Sequence, residues 1–238
     1  MAWLVAAVAG AIVAGALASI AVATARGVSV PALAANDKII VVLIAACGLQ
    51  ITMLLGSLIQ ARRAGEGSIR AGLGWRPMRR KLVIALLCLA ALMWMGCFIA
   101  LTVWFPALRD LVKSATPDLL AHADQLGLPG AIARVLLLAA LAPLSEEFFF
   151  RGWLWEALRT RGVSTLPIAL LTTLPWLLLH GLDTPWRIVF LLPAALIFST
   201  ARIMSRGVQA SLCVHVTNNL AIVLLQIAAA ASGASATG

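Results

Sequence analysis

The sequence predicts an all-α, polytopic transmembrane bundle of about seven spans with its N-terminus on the cytoplasmic side. Composition is the first reason. Of 238 residues, 62% are apolar and only 11% charged, against about 25% charged in an ordinary soluble domain. Mean hydropathy is +1.01, and a soluble globule keeps too much accessible surface to hide such a chain from water. A soluble enzyme, a disordered chain and a free nucleic-acid-binding domain are thereby excluded. Run length is the second reason: apolar stretches near the roughly 20 residues a spanning helix needs recur between charged, Gly or Pro residues. The third is negative, because no stretch of about ten residues alternates as a membrane barrel strand would.

In chain order the spans fall near 2–25, 38–60, 82–105, 131–150, 164–181, 187–204 and 208–230. The first ends in Ala23-Thr24-Ala25, which resembles a signal-peptidase site, but no basic residue precedes it, so a retained span is expected. Between the second and third spans lie Arg62, Arg63, Arg70, Arg76, Arg79, Arg80 and Lys81. Under the positive-inside rule, 61–81 is a cytoplasmic loop. The net charge of +9 therefore sets topology and is not a nucleic-acid footprint. The 106–130 loop, with Asp110, Asp118 and Asp124 against Arg109 and Lys113, then lies outside. Arg159, Arg161, Arg202 and Arg206 fall inside, and Trp104 and Trp186 sit at outer span ends as interfacial anchors. Cys47, Cys88, Cys97 and Cys213 lie in apolar runs without a CxxC pair and read as small packed hydrophobes. The expected organisation is an N-terminal three-helix region over 1–105, an extracytoplasmic loop over 106–130, a helical core over 131–230 and a tail over 231–238.

Ionisable groups inside a span are costly, and each is a functional-site hypothesis by default. The fourth run contains Ser145-Glu146-Glu147-Phe148-Phe149-Phe150-Arg151. Glu147 and Arg151, four apart, can pair along one helix face. Glu146 points about 100° away and lacks that partner, which leaves it as the candidate general base. Three histidines complete the inventory. His122 lies in the outer loop and reads as a solvated bystander. His180 ends the run Trp176-Leu-Leu-Leu-His180, and His215 precedes Asn219 by one helical turn. If the fourth and fifth helices turn near Gly162–Val163, Glu146 and His180 each lie 17 residues from residue 163 and so stand at one height, about 25 Å from the turn. His215 and Asn219 reach that plane only if the hairpin projects past the membrane by about two turns.

At these residues the chain resembles the CPBP family: the type II CAAX prenyl endopeptidases, the Abi proteins and related intramembrane proteases. Its three signatures are EExxxR, here Glu146-Glu147-Phe-Phe-Phe-Arg151; an aromatic four residues before a His, here Trp176 and His180; and HxxxN, here His215 and Asn219. They occur in the family's order over about 130–225. Many members carry Phe where this chain has Trp176, which implies an altered pocket shape and retained chemistry. The first three spans match nothing specific.

The resemblance implies hydrolysis of a peptide bond within the membrane. It implies that Glu146 activates water, that His180 helps hold it, and that His215 and Asn219 stabilise the oxyanion. Glu147 and Arg151 would fix the helix, while Trp176 and Phe150 would line the substrate pocket. Residues 131–230 would be the catalytic core, in a multi-pass protein of the cell (inner) membrane. The expected partners are the lipid bilayer and a membrane-embedded or lipid-modified peptide or protein; nucleic acid is not among them. That substrate could be a prenylated CAAX peptide, a leader peptide, a pheromone or a sorting tail. Two histidines and a glutamate could hold zinc with an open position. The compact HExxH motif is missing, however, and Asn is an uncommon zinc ligand, so no cofactor is expected and zinc is the alternative. Two other functions stand beside the protease: a non-catalytic scaffold or bacteriocin-immunity protein of the same fold, and a proton-coupled transporter. Against the first, a scaffold has no need of all four polar residues; against the second, the chain lacks the repeated, broken halves of transporters.

Overall fold

The computed structural model describes residues 2–99, 125–181 and 185–235. Trp104, His122, the side chain of Trp186 and most of the expected 106–130 loop lie outside the described residues. Among the described residues there are helices and no strand. We number the helices α1 (Ala2–Arg26), α2 (Ala35–Ala64), α3 (Ile69–Gly72), α4 (Arg80–Ile99), α5 (Leu128–Arg159), α6 (Thr165–Gly181), α7 (Pro185–Ser205) and α8 (Val208–Ser235). The described part of every expected apolar run lies in one of them, apart from Ser164 just ahead of α6. Of these, α2 and α5 are by length and hydropathy sufficient to cross a membrane.

The chain divides into two compact units. One comprises Met1–Gly56, Asp118–Ser145 and Asn219–Gly238; the other comprises Ser57–Pro117 and Glu146–Asn218. In the first, α1 and α2 meet through small residues, Gly15 against Ala45 and Gly48 against Ala14, which lets two apolar helices approach closely without a hydrophobic driving force. α5 widens into π-helical turns over Leu136–Leu141, just ahead of Pro143. Proline withdraws an N–H and crowds the carbonyl four residues back, so the turn before it opens to i→i+5 bonding. Ser145, the last α5 residue of this unit, donates to Ala142 O at 2.9 Å and also to Gln50 Oε1 on α2.

The second unit contains the C-terminal half of α5, which stays helical to Arg159, nine residues past the expected end of the apolar run. The reason is packing: Gly152 and Trp155 are buried there, and so are Arg151 and Glu156 despite their charge. A tight turn with Gly162 in the left-handed region (φ 80°) reverses the chain into α6, and Trp155, Ile168 and Ala169 form the core of that hairpin. Thr173 and Ser199 join α6 to α7 by a 2.7 Å hydroxyl pair, and Trp94 Nε1 donates to Asn218 Oδ1 at 2.7 Å between α4 and α8. The outward faces are apolar. Leu166, Leu170, Leu174 and Leu178, at i,i+4 spacing on α6, are all at least half exposed, while Thr172, Thr173 and Ser199 are buried. Apolar outside and polar inside is the arrangement that lipid, and not water, stabilises.

The segment between α3 and α4 is pinned onto this unit at Gly74. Its φ of 60° is left-handed, and a Cβ there would run into the Glu156 carboxylate and the Arg202 guanidinium. Gly74 O also accepts the Val208 N–H at 3.2 Å, fixing where α8 begins. Gly74→Ala is expected to cost about 1–2 kcal/mol for the backbone conformation and about 1–3 kcal/mol for overpacking, read as a lower Tm of the detergent-purified chain.

Candidate active site

Six of the eight residues singled out from the sequence lie in the second unit within or beside one cluster. Glu146, on α5, is nearly buried (6% exposed). Its Oε2 accepts the Trp176 indole N–H at 2.6 Å and faces two imidazole nitrogens, His180 Nε2 at 4.0 Å and His215 Nε2 at 3.9 Å. The hairpin therefore does place Glu146 level with α6's Trp176 and His180. The long α5 and the start of α8 at Val208 bring His215 to the same level.

Glu147 is completely buried and holds a different set of partners. Its Oε1 accepts from Arg151 Nη1 at 3.2 Å and from His215 Nδ1 at 3.0 Å. The two adjacent carboxylates thus flank one ring, Glu147 at Nδ1 and Glu146 on the Nε2 side. From Glu147 to Leu154 the helix is π-helical, a widening that often marks functional sites.

Hydrogen bonding fixes the ring tautomers. His180 Nδ1 lies 2.8 Å from the Trp176 carbonyl. A carbonyl only accepts, so Nδ1 carries a proton; when the ring is neutral, Nε2 then presents a lone pair to Glu146. His215 Nδ1 likewise donates to the Glu147 carboxylate. The His215 ring stacks on Phe198 (centroids 4.1 Å apart, 20° between planes), and Trp176 covers the third side (5.8 Å, 81°). His180 is the partly open member, its side chain 30% exposed, whereas His215 is 2% exposed. Approach to the cluster is therefore on the His180 side.

Phe150 is fully buried, edge-on to Phe149. Asn219 belongs to the other unit, where its Nδ2 donates to the Leu138 carbonyl at 3.0 Å. Two supporting groups were not singled out from the sequence: Phe198, which supports His215, and Arg202, whose Nε donates to the Arg151 carbonyl at 2.7 Å. Arg202 did carry a signal, as a polar residue ending an apolar run; Phe198 carried none.

Zinc fits the donor set poorly. Tetrahedral ligands at about 2.0–2.2 Å from zinc stand roughly 3.3–3.5 Å from one another, closer than the 3.9 and 4.0 Å separations of Glu146 from the two rings. Glu146 Oε2 is also engaged by Trp176. Among the described residues no three His, Cys, Asp or Glu side chains form a metal-holding group.

Residues 128–221 match the family of the type II CAAX prenyl endopeptidases, Rce1-like. The matched segment contains all three signatures and bears out the resemblance that they carry. No curated protein and no solved structure matches the chain.

Proposed function

We propose that this chain, whose residues 128–221 are those of an Rce1-like protease family, is a multi-pass intramembrane endopeptidase of the cell membrane that uses Glu146 to activate water. The observation that supports this reading is the placement of one carboxylate oxygen, Glu146 Oε2, opposite two imidazole Nε2 atoms at 4.0 and 3.9 Å. Those gaps are too long for direct hydrogen bonds and suit a bridging water at about 2.8 Å from each group.

In the proposed reaction that water gives a proton to Glu146 while its oxygen attacks the scissile carbonyl carbon. His180 Nε2, an acceptor in the neutral ring, orients the water's second hydrogen. His215 can donate from Nε2 to the oxyanion only when both its nitrogens are protonated, and Glu147 then supplies the counter-charge. The family signature implies a second donor at Asn219, whose Nδ2 here donates to the Leu138 carbonyl at 3.0 Å. When the tetrahedral intermediate collapses, the C–N bond breaks and Glu146 passes its proton to the leaving amine. Glu147 and Arg151 hold the His215 ring in place, and Trp176 holds Glu146.

The substrate class is a membrane-embedded or lipid-modified peptide or protein, of which a prenylated CAAX segment is the family's precedent. The mechanism needs no cofactor. Purified protein in detergent, incubated with a membrane-peptide mixture, is expected to yield new peptide termini by mass spectrometry, and 1,10-phenanthroline is expected to leave that yield unchanged. Activity lost to the chelator and restored by zinc would contradict the metal-free mechanism.

A further inference from the structure

The ends of α5 and α7 and the segment before α4 line a cavity of about 510 Å³, within the range of small-ligand sites (about 300–1,000 Å³). It is lined chiefly by Arg76, Arg159, Arg202, Arg206, Glu156 and Trp155. Its floor is built and charge-balanced. Arg202 and Glu156 are both nearly buried and pair at 2.5 Å, and the Arg202 guanidinium lies 5.0 Å over the Trp155 ring. The second Glu156 oxygen takes Arg159 Nε at 2.7 Å. That carboxylate is then fully used, yet Arg76 and Arg206 still stand exposed at the rim, with no ion pair among the described residues.

A second observation concerns the backbone. Arg206 has φ 56°, a left-handed conformation that L residues other than Gly rarely adopt. Gly is the usual residue where a helix ends in this way. Here Gly207 is the next residue, and the arginine occupies the strained position. Strain of this kind persists where the surroundings fix it, typically at binding sites. Its consequence is to hold a guanidinium at the rim of a cavity that already has more positive than negative charge.

Guanidinium groups grip phosphate through paired N–H donors. The lining comes from the segments that the distribution of basic residues assigns to the cytoplasmic membrane surface, where basic pockets meet lipid headgroups. We propose that this cavity binds a phosphate group, presented by an anionic phospholipid headgroup at the membrane surface or by a soluble phosphate.

The test is thermal unfolding of the full chain in a neutral detergent, titrated separately with dioleoylphosphatidylglycerol, dioleoylphosphatidylcholine and inorganic phosphate. Wild type is compared with Arg76→Gln/Arg206→Gln and with Arg62→Gln/Arg63→Gln, which removes two charges outside the cavity. The expected result is a saturable rise in Tm with phosphatidylglycerol and none with phosphatidylcholine. Half-saturation should move at least tenfold in the Arg76/Arg206 variant and stay in place in the Arg62/Arg63 variant. The same pattern with inorganic phosphate supports the site with a soluble source. No saturable response to either anion, or equal losses in the two variants, would overturn it.

Discussion

Glu146→Gln is expected to lower peptide-bond hydrolysis by about 10²–10⁴-fold, the usual contribution of a positioned general base, while leaving Tm close to wild type. Gln keeps the shape of the side chain and an oxygen able to accept the Trp176 N–H, so packing and the 2.6 Å bond can survive. What it cannot do is take a proton from water. A graded companion is Trp176→Phe, which restores the aromatic common in the family but removes the indole donor. A hydrogen bond to a charged group is worth about 1.5–3 kcal/mol, so the Phe variant is expected to lose about 10–100-fold. The two variants separate proton transfer from the positioning of Glu146. A wild-type rate in Glu146→Gln would remove the general base from the mechanism.

Arg151→Leu is expected to give the largest loss of stability, about 3–5 kcal/mol, because it strands a buried carboxylate. Glu147 and Arg151 are both fully buried. Arg151 is the guanidinium that neutralises Glu147 (3.2 Å), and it also packs 5.2 Å from the Trp176 ring. The pair is incompletely satisfied: Arg151 Nε and Nη2 have no hydrogen-bond partner among the described residues. Incomplete satisfaction makes the pair a weak net stabiliser and a poor candidate for retention on stability grounds alone. The double variant Glu147→Gln/Arg151→Leu is therefore expected to recover much of the lost Tm. It is not expected to recover hydrolysis, because a neutral amide in place of the Glu147 carboxylate no longer offers His215 a counter-charge. Equal Tm losses in the single and double variants would contradict this division of roles.

Much of the site is legible in the sequence because a bilayer makes polar residues conspicuous. Charge scarcity isolates Glu146, Glu147, Arg151, His180 and His215, and simple helix arithmetic puts Glu146 and His180 at one height about a Gly162 turn, as observed. The arithmetic leaves open whether His215 reaches that height. The answer depends on α5 staying helical through Arg159, which follows from tertiary burial of Arg151 and Glu156 and not from local hydropathy. The π-helical turns are invisible for a similar reason: they arise from a proline's missing donor and from packing, neither of which alters the apolar pattern. The sequence marks Trp176 as a pocket wall. In the structure its N–H donates directly to Glu146, and an aromatic's polar edge has no periodicity to reveal it. The amide of Asn219 lies on the Leu138 carbonyl, a pairing between helices that spacing along α8 alone does not encode.

The most direct measurement is the membrane peptide profile of cells lacking this chain, complemented with either wild type or Glu146→Gln at equal protein level. A membrane-associated precursor should accumulate in the deletion and in the Glu146→Gln strain, and wild type should convert it to a product with a new terminus. Conversion by Glu146→Gln at the wild-type rate, or a peptide profile that does not differ between deletion and wild type, would contradict a glutamate-driven intramembrane protease.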